Sequence, residues 1–252
     1  MSGVVAEAHD LVVRFGSHTA LAASSFVVPA GCVTAVIGPN GAGKSTLLLA
    51  LTGLLEPAGG TLSVLGTQPV AARHRISFVL QSTAVPIGTP ITVRETVGMG
   101  RYPSVGLFRR MRPHDLERVR RAMELLDITD LARRHLSELS GGQRQRVYVA
   151  QGLAQDHDVL LLDEPLTGLD LVSARTIDDI IHAERDAGGS VVLTTHDLDE
   201  ARAADHVLLM SGRVVASGPP RQVLTRRNLE VAYGLGALHP SEGFLDDHFH
   251  GH

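Results

Sequence analysis

The 252-residue chain predicts an α/β fold: a mainly parallel sheet, an N-terminal antiparallel β subdomain and an inserted α-helical subdomain. Three observations predict it. Short apolar runs at Val33 to Ile37, Val159 to Leu162 and Val191 to Thr195 alternate with helix-like stretches, the pattern of a parallel sheet covered by helices. Ahead of them, Val12 to Phe15 and Ser25 to Val28 read as two strands joined by a polar turn. Between about Pro86 and Ala154 the texture turns helical.

Composition limits the classes of function. Apolar residues at 44% and charged residues at 20% exclude disorder for most of the chain. A net charge of −4 gives no electrostatic case for nucleic acid as a partner. Cys32 is the single cysteine, so no intramolecular disulfide is possible, and it reads as a small strand residue. Met1 to Asp10 carries acidic residues and no apolar core, so no signal peptide is expected. Leu47 to Leu55 is broken by Thr52 and Gly53, and no run reaches the length of a membrane span. A membrane role would therefore come through another chain.

In chain order, Pro29-Ala30-Gly31 turns the chain from the N-terminal strands into Val33 to Ile37. Glu56 to Gly60 is a turn, Thr61 to Leu65 a strand, and Ile76 to Val79 a strand ending in Leu80-Gln81. Pro113 is placed to open a helix on which Leu116, Val119, Met123 and Leu126 recur at helical steps. The stretch before it, with Arg101, Arg109, Arg110 and Arg112, reads as a solvated basic loop. A helix with Val172, Ile177, Ile180 and Ile181 ends at Gly188-Gly189. His206 to Met210 and Arg213 to Ala216 form a hairpin turning at Ser211-Gly212, and Pro220 to Tyr233 reads as one closing helix.

The chemistry begins at Gly38-Pro39-Asn40-Gly41-Ala42-Gly43-Lys44-Ser45-Thr46, directly after a predicted strand. This is G-x-x-x-x-G-K-[ST], a phosphate-binding loop that defines a P-loop NTPase core. Without Cβ atoms at Gly41 and Gly43, backbone N–H groups can turn inward onto an anion, and the next helix aims its positive end there. Lys44 is placed to reach the β- and γ-phosphates and Ser45 to hold Mg²⁺. Leu47, Leu48, Leu49 and Leu51 make that helix apolar enough to be buried on several sides. A second site lies where Val159 to Leu162 delivers Asp163 and Glu164 at the carboxyl end of a strand, where ligands of such sheets gather. Asp163 is suited to the Mg²⁺ and Glu164 to polarising a water. A third is Leu139-Ser140-Gly141-Gly142-Gln143, where Ser140 and Gln143 have capping-box spacing. A capping box needs no two glycines, and a serine with two glycines at a helix start also makes an anion site open to backbone contact. Phe15 is open to two readings, stacking on a base or packing under the sheet.

In combination these residues resemble the ATP-binding subunits of ABC transporters, whose signature is this Leu-Ser-Gly-Gly-Gln. The resemblance runs from about Ala6 to about Gly234. It implies an ATP-binding domain over 1–234 with its helical subdomain at about 86–154, and leaves 235–252 as a loose histidine-bearing tail. By it, Gln81 is the glutamine that contacts Mg²⁺ and the attacking water, and His196 the histidine at the γ-phosphate. Asp170, after Leu169, belongs to the loop that crosses to the other subunit, and Phe15 stacks on adenine. It further implies ATP and Mg²⁺ as cofactors, and a head-to-tail homodimer in which Ser140, Gly141, Gly142 and Gln143 of one copy close on the ATP held by the other. Integral-membrane permease subunits and, indirectly, an extracytoplasmic substrate-binding protein are the implied partners, with the chain at the cytoplasmic face of the cell membrane. Thr167 stands where the family often has Ser or Ala, and Gln151-Gly152 where Arg-Ala is commoner; neither removes a catalytic group.

For the cargo, Gly98 to Pro103, Gly106 to Arg110 and the ending Val223 to Gly234 resemble importers of manganese or zinc. Gly-Arg-Tyr-Pro is shared with ferric siderophore and haem importers, the second reading. His239, His248, His250 and His252 suit borderline metals and equally suit a tail with no ligand role. A soluble P-loop kinase or GTPase would need neither the signature nor His196. Repair ATPases with this signature carry a long coiled-coil insertion for which 252 residues leave no room.

Overall fold

A computed structural model describes residues 3–80, 90–106 and 109–234. Gln81, Leu107 and Phe108, and the tail histidines lie outside the described residues.

The chain opens with β1 (Val4–Phe15) and β2 (His18–Pro29), then β3 (Val33–Ile37), α1 (Lys44–Leu51) and β4 (Gly59–Val64). A short α2 (Pro69–Ala72) leads to β5 (Ile76–Val79). The inserted helices are α3 (Val93–Met99), α4 (Tyr102–Val105), α5 (Pro113–Leu125) and α6 (Gly141–Ala154). Then come β6 (Val159–Leu162), α7 (Leu171–Asp186), β7 (Ser190–Thr195), α8 (Leu198–Ala203), β8 (His206–Met210) and β9 (Val214–Gly218). The described chain closes with α9 (Pro220–Val223) and α10 (Arg226–Tyr233).

The strands form two sheets. One is antiparallel, ordered β2-β1-β4; the other runs β5-β6-β7-β3-β8-β9 and is parallel except where β9 turns back on β8. Alternation along the core strands sorts side chains to two faces. Leu160 and Leu162 of β6 pack in the core shared with the inserted helices and α7, while Val159 and Leu161 face the other core. That second core holds α1 between the two sheets. Leu47, Leu48 and Leu51 are almost wholly buried there against Leu11, Leu21, Val36 and Leu208. Each such burial contributes about 1.5–3 kcal/mol, so the helix behind the phosphate loop is rigidly seated.

Four expectations change. Arg101 is 2% exposed and not part of a solvated loop. Its guanidinium donates to Asp115 Oδ1 at 3.1 and 3.0 Å, to Asp156 Oδ2 at 2.9 Å and to the Ala154 carbonyl at 2.8 Å. Leu116, expected on the core face of its helix, is 50% exposed. The closing helix is two helices: Leu224 leaves the helical region and Thr225 starts afresh, its Oγ1 accepting from Asn228 N at 3.3 Å. Cys32 lies in the turn before β3, half-buried beside the Pro29 carbonyl.

Candidate nucleotide site

The phosphate loop hangs between β3 and α1, both buried, so its backbone is fixed from two sides. Gly43 caps α1 at φ 93°, a left-handed conformation glycine adopts without steric cost. A Cβ there would also stand 2.7 Å from the carbonyl oxygen of Ala20, which closes the position to any other residue. Lys44 is only 6% exposed, and its ammonium donates to the loop's own carbonyls, Gly38 O at 2.9 Å and Pro39 O at 3.4 Å. The Glu164 carboxylate lies 3.8 Å from that ammonium. A buried cation ringed mainly by neutral carbonyls suits a loop whose ligand brings further negative charge.

Asp163 and Glu164 leave β6 as predicted, but their placement depends on a third residue. Thr194 of β7 is fully buried; its Oγ1 donates to Asp163 Oδ1 at 2.6 Å and accepts from Glu164 N at 2.8 Å. Glu164 itself has φ 47°, uncommon outside glycine, and the Thr194 bond helps to hold it there. Strand pairing sets the arrangement, since Leu162 of β6 is in register with Leu193 of β7. Thr194 is missed by reading the sequence because a threonine in an apolar strand is ordinary; the signal is its position one residue past that partner.

Phe15, His18, Ala20, Asn40 to Thr46 and Glu164 line one pocket of about 420 Å³. Phe15 is the last residue of β1 and 48% exposed, so it projects at the pocket instead of packing under the sheet. Ser45 is exposed at the start of α1. His196 is exposed just past β7, and neither it nor Asp163 belongs to the pocket lining. Mg²⁺ takes hard oxygen donors, and the Ser45 hydroxyl and Asp163 carboxylate are such a set.

Ser140 to Gln143 does not line this pocket. Ser140 caps α6 in a full capping box: its Oγ accepts from Gln143 N at 3.2 Å while Gln143 Oε1 accepts from Ser140 N at 3.0 Å. Both readings of that motif therefore survive together, since the box leaves the glycines available. Gly142 is confined by α7: a Cβ there would lie 2.5 Å from Asp170 Oδ2 and 2.6 Å from Ser173 Oγ. Asp170 caps α7, accepting from Ser173 N at 2.9 Å and Ser173 Oγ at 2.8 Å. These bonds from Ser173 hold the Asp170 carboxyl below the usual range. Gly141, by contrast, has nothing among the described residues within 4 Å of its Cβ position.

Comparison with known proteins gives the family. The profile of the ABC transporter family matches residues 21–167. The chain belongs to that family, as one of its ATP-binding, ATP-hydrolysing subunits. It is 37% identical to the manganese transport system ATP-binding protein MntB of Bacillus subtilis, over 90% of this chain and 92% of that protein. It is 40% identical to the ferric enterobactin transport ATP-binding protein FepC of Escherichia coli, over 91% of this chain and 87% of that one. Among solved structures, a metal-chelate type ABC transporter in an inward-facing conformation superposes with a TM-score of 0.80 at 30% identity, covering 91% of this chain and 89% of the other.

Proposed function

We propose that this subunit powers the import of a divalent metal, zinc or manganese, across the cytoplasmic membrane. The observation that carries the ATPase chemistry is the buried Lys44 ammonium beside Glu164 at the carboxyl end of the sheet. Lys44 and the loop N–H groups hold the β- and γ-phosphate oxygens. Glu164 orients a water and accepts its proton as the water oxygen attacks the γ-phosphorus and the bond to the ADP oxygen breaks. Thr194 fixes the backbone that carries Glu164, Phe15 stacks on the base, and His196 contacts the γ-phosphate. Ser45, Asp163 and Gln81 would hold Mg²⁺, which neutralises charge on the phosphates.

Two copies close head to tail, each supplying Ser140 to Gln143 to the ATP held by the other, with Asp170 at the crossing. The open space at Gly141 supports this reading, because among the described residues nothing in its own chain fills it. Among the described residues no helix is long and apolar enough to cross a membrane. Permease subunits therefore hold the dimer at the cytoplasmic face, and a substrate-binding protein outside delivers the cargo. ATP binding closes the dimer and hydrolysis releases it, which drives the permease between two states.

The likeness to MntB along nine-tenths of the chain supports a divalent metal. The 40% identity to FepC favours a second reading, a ferric siderophore or haem. The test is ATPase activity of the complex reconstituted with its permease and binding protein, with zinc, manganese and ferric chelates compared. Stimulation by zinc or manganese supports the first reading, and stimulation by a ferric chelate alone replaces it with the second. A response only to a metal-free organic substrate contradicts both.

A further inference from the structure

The turn at Gly16 and Ser17 sets Phe15 directly opposite His18 in the β1–β2 ladder. Directly paired residues of antiparallel strands send their side chains to the same face, with Cβ atoms about 4.5–5.5 Å apart. Both residues line the pocket above the phosphate loop. Further along β2, the Ala20 carbonyl is the group pressed against Gly43. Ala20 is the extra residue where the β1–β2 register shifts, between Thr19 opposite Arg14 and Leu21 opposite Val13. His18 lies two residues before it, opposite Phe15, at the end of β2 away from the Gly43 contact. A nucleotide with its phosphates on Gly41 to Ser45 carries its sugar and base to that end. His18 is exposed, and among the described residues its ring makes no hydrogen bond or ion pair, so both nitrogens are available.

We propose that His18 recognises the nucleoside half of the bound nucleotide, with a ring nitrogen hydrogen-bonded to a ribose hydroxyl while Phe15 covers the base. The loop N–H groups and Lys44 serve the phosphate end and the aromatic ring serves the face of the base, so the sugar hydroxyls are polar groups that these contacts leave unmet. The inference rests on reading the pocket as an ATP site.

It is tested by competition against a fluorescent ATP analogue, using wild type and His18→Ala. The competitors are ATP, 2′,3′-dideoxy-ATP and tripolyphosphate. Losing one such hydrogen bond lowers affinity about 2- to 12-fold. Wild type is expected to prefer ATP over the dideoxy analogue by that factor. His18→Ala should lose the preference, binding ATP as weakly as the analogue, with tripolyphosphate affinity within about twofold of wild type. A His18→Ala protein that keeps the full preference for ATP overturns the inference and leaves the ATP site standing. A wild type that binds neither nucleotide overturns the ATP site and the inference with it.

Discussion

Thr194 Oγ1 donates a 2.6 Å hydrogen bond to Asp163 Oδ1 across neighbouring strands, and the same oxygen receives the Glu164 N–H at 2.8 Å. One buried hydroxyl thus orients both acids of the site.

Replacing it by a methyl of similar shape should separate position from presence. Thr194→Val removes the hydroxyl that accepts from Glu164 N and donates to Asp163 Oδ1, a buried loss that costs about 1–3 kcal/mol of stability. With Glu164 displaced, kcat should fall about 10- to 100-fold while ATP affinity changes little. Thr194→Ser should restore most of both. Thermal unfolding and steady-state ATPase assays check this; a Val variant with wild-type kcat would show that the hydroxyl does not position the acid.

The two glycines of the signature should behave differently. Gly142→Ala pushes a methyl onto Asp170 and Ser173 and should cost about 1–3 kcal/mol of stability. Gly141→Ala meets nothing among the described residues of its own chain, so its melting temperature should match wild type. If a second copy's nucleotide fills that space, the same variant should fail to dimerise with ATP. Normal ATP-dependent dimerisation by Gly141→Ala would count against the shared site.

Arg101 is a buried cation with two carboxylate partners, Asp115 and Asp156, each within 3.1 Å. Removing one member of such a group strands the others, so Arg101→Met should destabilise the chain by about 3–5 kcal/mol. Chemical denaturation measures it; a loss below about 1 kcal/mol, the scale of an exposed pair, would contradict the burial.

His157 gives stability a pH dependence. Its side chain is 9% exposed, with Nδ1 2.9 Å from the Gln155 carbonyl and Nε2 3.4 Å from Glu184 Oε2. Burial pushes the imidazole down, but the Glu184 carboxylate and the Gln155 carbonyl outweigh it and raise its pKa above the ordinary 6.5. A raised histidine stabilises fully below the unfolded value, and its contribution is lost as pH climbs through the folded one. The melting temperature should therefore fall from pH 6.5 upward in wild type, and by less in His157→Gln. Parallel pH profiles for the two proteins would remove His157 from the account.

How much of this could be read beforehand varies with the range of the interaction. The core strands β3, β5 and β6 were legible to the residue because their apolar runs end at glycine, at a polar segment or at acids. The phosphate loop, the acid pair and the capping box were legible for the same reason, being local patterns. Arg101 was not, since its burial depends on Asp115 and on Asp156, which lies 55 residues further along the chain. Thr194 was not, because its role exists only in the register of β6 on β7. The break between α9 and α10 did have a local signal, Thr225 as a helix cap, which the apolar periodicity of Pro220 to Tyr233 obscured.

Glu164 is proposed to activate the water at an ATP site completed by a second copy of the chain. Glu164→Gln keeps the shape and removes the base. Light scattering with and without ATP, alongside an ATPase assay on the same sample, tests it most directly. An ATP-dependent dimer that hydrolyses ATP at least about 100-fold more slowly than wild type is expected. A variant that hydrolyses at the wild-type rate, or remains monomeric at saturating ATP, would contradict it.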